Sequence, residues 1–176
     1  INWTVGGSNI SSNWTGSLAL NSTGAVNVAN YWQDQAPNTN TFALSSDIGV
    51  NASGLDFIAY CFSEVKGFSK FGSYVGNGSA VFVYTGFKPA FVICKKTTNT
   101  NTFSSWRMID NKRLGYNSSN WTFKADLTDA EETTNRADFF SNGFQLTDGN
   151  SATNASGETY IYMAFAENPL VGTNNI

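Results

Sequence analysis

The chain has 176 residues, of which 41% are hydrophobic, 15% aromatic and only 13% charged. This length allows one large domain or two small ones, and either can bury a packed core. The net charge of −3 and the lack of an extended basic stripe argue against a nucleic-acid-binding protein, because nothing would neutralise the phosphates.

The sequence contains no histidine. This removes the commonest general base, the usual serine or cysteine triad and most zinc and iron sites, so we expect no metal and no cofactor. No apolar stretch reaches the roughly 20 residues of a membrane span, so we expect no membrane insertion. Cys61 and Cys94 lie in apolar runs and are expected to be buried free thiols. A disulfide between them is the alternative, and the sequence does not decide it because the sequence does not give the Cα separation.

The first candidate site in chain order is the turn-rich loop NYWQDQAPNTN at residues 30–40. An aromatic ring flanked by amides and a carboxylate can bind a sugar, because the ring covers the apolar face of the sugar. The candidate glycan-binding residues are Tyr31, Trp32, Gln33 and Asp34. The alternative is that Tyr31 and Trp32 are ordinary core residues, which the aligned Phe139 and Phe140 favour.

Short runs rich in β-branched and aromatic residues predict strands further along the chain. They are VFVYTG at 81–86, AFVICKKT at 90–97 and TYIYMAFAE at 159–167. The last run is apolar on both faces, which indicates a central strand, and FFSNGFQL predicts a hairpin around Ser-Asn-Gly. A helical turn or two is expected only within residues 126–139. This pattern predicts an all-β fold, an antiparallel β-sandwich of jelly-roll or lectin-like type.

Two phrases 103 positions apart are nearly the same, NASGLDFIAYCFSE at 51–64 and NASGETYIYMAFAE at 154–167. Three further pairs of blocks keep the same order: FALSSDIGVNASG with FQLTDGNSATNASG, SSNWTG with SSNWTF, and NWTV with SWRM. We interpret this order as an internal duplication. Its period far exceeds the 20 to 50 residues of a solenoid unit, so each copy is the size of a domain.

The duplication divides the chain into a first repeat, residues 1–66, and a second repeat, residues 67–176. The first repeat is expected to be truncated at its start, because Ile1 directly precedes its NWTV block. Its missing strands are expected from residues outside this chain or from a neighbouring subunit. Alternatively, the two repeats share a single core.

Two sets of acidic residues are candidates for chemistry. Glu64 and Glu167 are equivalent in the two repeats, and a pair of carboxylates can hydrolyse a glycosidic bond. A residue duplicated in register is more simply structural, for example accepting backbone N–H groups at a strand end. Asp126, Asp129 and Glu131 are close enough in sequence for Ca²⁺ but lack the regular spacing of a calcium loop. We therefore predict no catalytic residue and no metal ligand.

Asn-X-Ser/Thr sequons recur throughout the chain, and Asn77 and Asn154 each begin one. Glycosylation would require a secreted host with the necessary machinery. The simpler interpretation is that asparagine, serine and threonine are abundant here because they favour turns.

Four long phrases carry a resemblance to a known family: AYCFSEVKGFSKFGSYVGNGSA, FVYTGFKPAFVICKKT, FFSNGFQL and NASGETYIYMAFAENP. They closely resemble a domain common in marine bacteriophage virion proteins, often labelled tail-fibre-like. Such sequences usually carry a few more residues, including Asp-Gly-Pro, between Ala80 and Val81. The resemblance implies a location on the virion surface and oligomeric assembly. It carries over no catalytic residue.

The leading hypothesis is a non-enzymatic phage virion protein, a tail fibre or appendage domain acting in host-surface attachment. Its expected partners are other virion proteins, further copies of itself and a host cell-surface glycan. One alternative is a capsid decoration or cement protein. A second alternative is a glycan-depolymerising tailspike enzyme, which would need two convergent carboxylates in a groove.

Overall fold

The computed structural model describes residues 2–98, 103–113, 117 and 121–169. Its elements are short strands and one turn of helix. In chain order they are β1 (Thr4–Val5), β2 (Gly16–Ala19), β3 (Asn27–Val28), α1 (Ile48–Asn51), β4 (Ser69–Val75), β5 (Val81–Tyr84), β6 (Pro89–Lys96), β7 (Arg107–Asp110), β8 (Thr122–Lys124), β9 (Ala137–Phe140), β10 (Gly143–Leu146) and β11 (Thr159–Ala166). In the described part of the chain, no helix has the length and apolarity to cross a membrane.

The largest sheet has five antiparallel strands in the order β4-β11-β6-β7-β8. The strand β11 is central, as its sequence predicts, because both of its faces are apolar. Tyr160, Tyr162 and Ala164 are buried on one face, and Ile161 is buried on the other. Alternation of side chains along the strand therefore gives this sheet two surfaces that must be covered.

A three-stranded antiparallel sheet, β5-β10-β9, covers one of those surfaces. The hairpin β9–β10 confirms the turn predicted at Ser-Asn-Gly. Phe139, Phe144 and Leu146 point inward from this sheet and are fully buried against Tyr160 and its neighbours on β11. The two sheets and the aromatic core between them form the sandwich.

The small sheet β1-β2-β3 lies on the opposite surface of the five-stranded sheet. Leu18 from β2 packs with Ile93, Trp106 and Ile161 in a second buried cluster. The indole Nε1 of Trp106 also donates a hydrogen bond of 2.8 Å to the carbonyl of Ala19. Residues from both of the predicted repeats, 1–66 and 67–176, build this cluster. The all-β, sandwich-like fold predicted from the sequence is confirmed, with three antiparallel sheets.

The helical turn predicted within residues 126–139 is wrong. Glu132 instead forms an isolated β-bridge with Thr122, and the strand β9 follows at Ala137. The helix α1 lies in the first repeat, where the carboxylate of Asp47 caps it by accepting a hydrogen bond from the N–H of Gly49 at 2.7 Å. This cap satisfies one of the free N–H groups at the start of α1.

The pattern of strand pairing repeats along the chain. The blocks NWTV and SWRM contain the starts of β1 and β7, and each of these strands forms an antiparallel pair with the strand that follows it. By the same alignment Thr122 corresponds to Thr15, and the bridge of Thr122 with Glu132 has its counterpart in the hydrogen bond of 3.1 Å from the N–H of Ala29 to the carbonyl of Thr15. The similarity between the two halves does not extend to residues 57–64. These residues align with β11 but form no strand.

Both cysteines are free thiols. Cys94 lies on β6 and is fully buried, as predicted. Cys61 is exposed, so its predicted burial is wrong. Cys61 is exposed because it belongs to segment 57–64, which is not part of any described sheet.

Candidate functional site

A small polar pocket lies on the sheet β1-β2-β3. Val5, Leu18 and Leu20 pack toward the five-stranded sheet, so the alternate residues of β1 and β2 face away from it. Those outward residues form part of a pocket with a cavity volume of about 140 Å³. Its lining consists of Asn2, Thr4, Ser17, Leu18, Ala19, Ser22, Gly24, Ala25, Asn27 and Tyr31.

Tyr31 is the one member of the predicted glycan-binding set that lines this pocket. Its backbone is fixed at two points, since its N–H donates to the carbonyl of Ala29 at 2.8 Å and its carbonyl accepts from the N–H of Ser45 at 2.9 Å. The half-buried Tyr31 therefore lies on a loop that turns back on itself at Ala29 and is joined to Ser45 further along the chain. That anchoring places an aromatic surface beside hydroxyl and amide groups.

Trp32 does not line the pocket but packs within the first repeat. Its ring meets the ring of Trp14 edge to face, with centroids 5.8 Å apart. It also lies against Gly6, where an added Cβ would come within 2.5 Å of the indole. For Trp32 the structure thus shows packing, the alternative considered from the sequence.

Gln33 and Asp34 form the tight part of the same loop, and both have positive φ angles, 53° and 51°. The side-chain amide of Gln33 donates a hydrogen bond of 2.6 Å to the carbonyl of Leu44, which closes the loop. Asp34 is exposed. The four residues predicted as one site therefore do not lie together. Tyr31 lines the pocket and Trp32 packs against Trp14. Gln33 closes the loop, and Asp34 is exposed.

The buried Lys95 binds the loop at residues 23–24, which contributes to the pocket. The ammonium of Lys95 donates to the carbonyls of Thr23 at 3.3 Å, Gly24 at 2.9 Å and Lys96 at 2.8 Å. Burial lowers the pKa of Lys95 to about 8, against an opposing effect of the nearby Asp126 carboxylate. Because Gly24 lines the pocket, this lysine of the second repeat fixes a pocket loop of the first.

The lining of the pocket offers neutral hydrogen-bonding groups. Apart from Tyr31, the side chains that line the pocket are apolar or carry neutral hydroxyl and amide groups. Such groups can donate and accept hydrogen bonds, and the tyrosine ring can cover an apolar face. Within the described lining there is no carboxylate pair to act as acid and base, so the arrangement suits a small neutral polar ligand.

Glu64 and Glu167, which the predicted duplication aligns, each form an ion pair with a separate lysine. Glu64 pairs with Lys70 at 3.1 Å and accepts a hydrogen bond of 3.1 Å from the N–H of Phe71, the structural role expected of it. Glu167 pairs with Lys88 at 2.7 Å and accepts from the side chain of Asn111 at 2.7 Å. The hydrogen bond from Lys88 holds the pKa of Glu167 below its ordinary value.

The acidic residues considered for Ca²⁺ bind separate partners. Asp129 pairs with Lys124, and Glu131 pairs with Arg113. Asp126 accepts a hydrogen bond of 3.2 Å from the backbone N–H of Trp106. No cluster of three or more candidate metal ligands occurs among the described residues.

Sequence reasoning did not find the pocket as a whole. Its walls come from β1, β2, β3 and the loop at Tyr31, which are separated along the chain and meet only after folding. One available signal was the run GSLAL at residues 16–20, where small polar and apolar residues alternate as in a half-buried strand. Thr4, Ser17 and Asn27 line the pocket because they lie on the strands of this sheet.

Fold and pocket together define an all-β, sandwich-like domain that carries a small neutral polar pocket on an accessory sheet. The chain belongs to the family described as a domain of unknown function, DUF7483, whose family model matches residues 1–169. No curated protein and no solved structure shows significant similarity to it.

Proposed function

We propose that the chain is a non-enzymatic structural domain of a phage virion, part of a tail fibre or similar appendage at the particle surface. It acts in attachment to the host surface, assembles as a homo-oligomer with other virion proteins, and binds a cell-surface glycan. The resemblance of its long sequence phrases to virion proteins motivates the location. The sandwich offers a rigid scaffold, from which loops can present binding groups.

The observation that carries the glycan part of the proposal is the pocket beside Tyr31. Sugars present hydroxyl groups at their edges and C–H groups on their faces. The hydroxyl and amide groups of Thr4, Ser17 and Asn27 match the edges, and the ring of Tyr31 matches a face. A pocket of this size holds about one sugar unit, so each contact is weak. Several copies on one particle would convert weak contacts into firm attachment.

Binding to host envelope polysaccharide tests the glycan part. Tyr31→Ala should weaken binding at least about tenfold, measured by titration calorimetry or on a glycan array. The matched control is Tyr84→Ala, because Tyr84 is an exposed tyrosine on β5, a strand of the three-stranded sheet β5-β10-β9. Equal affinity of the two variants would refute the assignment of the pocket.

The decoration-protein alternative differs in location. Imaging of intact particles with the chain labelled would place it either on the tail appendages or on the capsid lattice. Density on the capsid lattice would replace the appendage proposal with the decoration role. Failure to bind any host glycan, together with an appendage location, would leave a structural role without receptor binding.

The enzyme alternative has its own assay. We expect no new reducing ends when the protein is incubated with host polysaccharide. Release of reducing ends that disappears in Glu64→Gln or Glu167→Gln would overturn the non-enzymatic proposal. Each of these carboxylates lies in an ion pair with a lysine, so each variant also needs a check of folding by circular dichroism.

A further inference from the structure

Segment 57–64, FIAYCFSE, lies at the end of the first predicted repeat and has an open backbone. Among the described residues, no N–H from Asp56 to Glu64 donates a hydrogen bond, and no carbonyl from Asp56 to Phe62 accepts one. The segment is also exposed along its whole length. An endoprotease binds its substrate as an extended chain, so a segment whose backbone is already unpaired and exposed is a favourable place for a cut.

Tyr60 lies at the middle of this segment, with four residues of it on each side of the Tyr60–Cys61 bond. Its side chain is 68% exposed. Endoproteases of the chymotrypsin type hold a large aromatic side chain in an apolar slot directly before the bond that they cut. Toward the end of the segment the backbone is fixed again, because the carbonyl of Ser63 accepts a hydrogen bond of 2.9 Å from the hydroxyl of Ser69.

The ring contacts of the segment change from one repeat to the other at Cys61. Tyr60 stacks on Trp3 of the first repeat, with ring centroids 6.3 Å apart. Phe62 instead contacts Phe165 of the second repeat, with ring centroids 6.0 Å apart. A cut between residues 60 and 61 therefore breaks neither contact, and each new end stays packed on its own repeat.

The two parts of the chain are joined by contacts that lie outside the segment. Leu18 of the first repeat is buried in one cluster with Trp106 of the second. The N–H of Val26 also donates a hydrogen bond of 3.1 Å to the carbonyl of Thr97. Because neither contact involves segment 57–64, both persist when the chain is cut there.

We propose that the Tyr60–Cys61 bond is a processing site, which an endoprotease with a preference for aromatic side chains cuts in the folded protein, and that residues 1–60 and 61–176 then stay associated. Water is the second reactant. The bond between the carbonyl carbon of Tyr60 and the nitrogen of Cys61 breaks, the hydroxyl of the water joins the carbon, and its remaining hydrogen joins the nitrogen. The products are a carboxyl group at Tyr60 and an amino-terminal Cys61. This processing is independent of glycan binding.

Limited digestion of the folded chain with chymotrypsin tests the site, and mass spectrometry of the fragments identifies each cut. The matched control is the Tyr84–Thr85 bond, because Tyr84 is 65% exposed but its backbone is paired with Gly143 on β10. A bond in a paired strand is cut only after the strand opens, so the Tyr60–Cys61 bond should be cut at least about a hundredfold faster. Digestion of the urea-unfolded chain gives the reference rates of the two bonds.

A reagent specific for amino-terminal cysteine identifies the bond independently. A cyanobenzothiazole condenses with a thiol and a neighbouring free amine, so it should label the fragment 61–176 but not the uncut chain. Tyr60→Asp should lower this labelling at least about tenfold, because a carboxylate does not suit the apolar slot of the protease. Tyr84→Asp is the control and should leave the labelling unchanged. Both side chains are exposed, so neither change is expected to disturb folding.

Size-exclusion chromatography of the cut protein tests the association. The two fragments should elute together in native buffer and separate in urea. Leu18→Ala should raise the dissociation constant of the fragments at least about tenfold, because it removes a side chain from the shared cluster. Val28→Ala is the matched control, because Val28 is 80% exposed on β3, and it should leave the constant unchanged. Circular dichroism of the uncut variants checks their folding.

Each part of the proposal has an outcome that would overturn it. The processing site is refuted if, relative to the reference rates, the Tyr60–Cys61 bond is cut no faster than the Tyr84–Thr85 bond. A first cut of the segment after Phe57 or Phe62 would contradict the choice of bond. Wild-type fragments that separate in native buffer would exclude the persistent association.

Discussion

Nη1 of Arg107 lies 2.6 Å from Oε1 of Glu132, and the arginine side chain is almost completely buried. Arg107 belongs to β7, and Glu132 forms the isolated bridge to β8, so the ion pair fastens the edge of the five-stranded sheet. Glu132 also lies within 3.5 Å of Lys124 and 3.4 Å of Arg136. Glu132 therefore lies close to three basic groups, although Lys124 also pairs with Asp129 and Arg136 also pairs with Asp148.

Removal of that carboxylate should be costly. Glu132→Ala leaves the buried Arg107 guanidinium without its counter-charge, and we expect the free energy of unfolding to fall by about 3 kcal/mol. Lys70→Ala is the control, because the Lys70–Glu64 pair is exposed and should contribute less than about 1 kcal/mol. Urea denaturation measures both. Equal losses would contradict the proposed importance of the buried arginine.

The same carboxylate should make stability depend on acid pH. Partial burial raises the pKa of Glu132, but the hydrogen bond and charge of Arg107, with help from Lys124 and Arg136, outweigh it and hold the pKa below its ordinary value of 4.5. The unfolded chain then binds protons more readily than the folded one. The contribution of Glu132 is present above pH 4.5 and is lost as the pH falls through the folded-state pKa.

Denaturation at a series of pH values should show this loss, and Glu132→Gln should flatten it. Asp126→Asn should act in the opposite direction. Burial raises the pKa of Asp126, so this group favours the folded state as the pH falls, and its removal should steepen the acid loss. An unchanged acid profile in Glu132→Gln would contradict the assignment.

Asn154 should be far more important to stability than its counterpart Asn51. The fully buried side chain of Asn154 accepts a hydrogen bond of 2.9 Å from the N–H of Asn77, and it donates to the carbonyls of Ser79 at 2.6 Å and Asp148 at 2.7 Å. Asn154→Ala leaves these groups unpaired, and we expect a loss of about 3 kcal/mol. Asn51→Ala, at an exposed position, should change stability by less than about 0.5 kcal/mol.

Thermal or urea denaturation of the two asparagine variants makes the comparison. Because NASG is the same in both repeats, the two substitutions are chemically identical and differ only in their surroundings. Similar losses in both would contradict the buried network. The burial also implies that the folded chain cannot carry a glycan at Asn154, although this residue begins a sequon.

The two thiols should differ strongly in reactivity. Cys61 is exposed, whereas Cys94 is buried, and desolvation raises the pKa of the Cys94 thiol to about 11. The thiolate is the reactive form. An aromatic disulfide reagent at neutral pH should therefore modify Cys61 rapidly and Cys94 only on unfolding. Cys61→Ser should abolish the fast phase, and a fast phase that persists in this variant would show that Cys94 is accessible.

Local patterns predicted the strands whose partners are close in sequence or whose faces are unambiguous. The run at 159–167 is apolar on both faces, so its burial at the centre of a sheet follows from the pattern alone. The hairpin of β9 and β10 follows from its turn residues. The helical turn expected at residues 126–139 is absent, because Glu132 instead forms a β-bridge with Thr122 and an ion pair with Arg107 on β7, contacts that a local pattern does not reveal.

The candidate site was predictable only in part. The sequence indicated Tyr31 as an aromatic residue among polar neighbours, and the structure places it in the pocket. It did not separate Tyr31 from Trp32, because the contact of Trp32 with Gly6 joins residues that are distant in the chain. Lys95 was equally hidden, since its role depends on carbonyl groups of the other repeat.

The sequence by itself determined the class of fold and the duplication hypothesis, because alternation of side chains and turn residues act over a few neighbouring positions. Only the tertiary structure decided which of two matching phrases becomes a strand. Ile58 and Ile161 have the same place in the same pattern, yet one is exposed and the other buried. A strand is stable only when neighbouring strands satisfy its backbone and cover its side chains, and those neighbours are chosen by the fold.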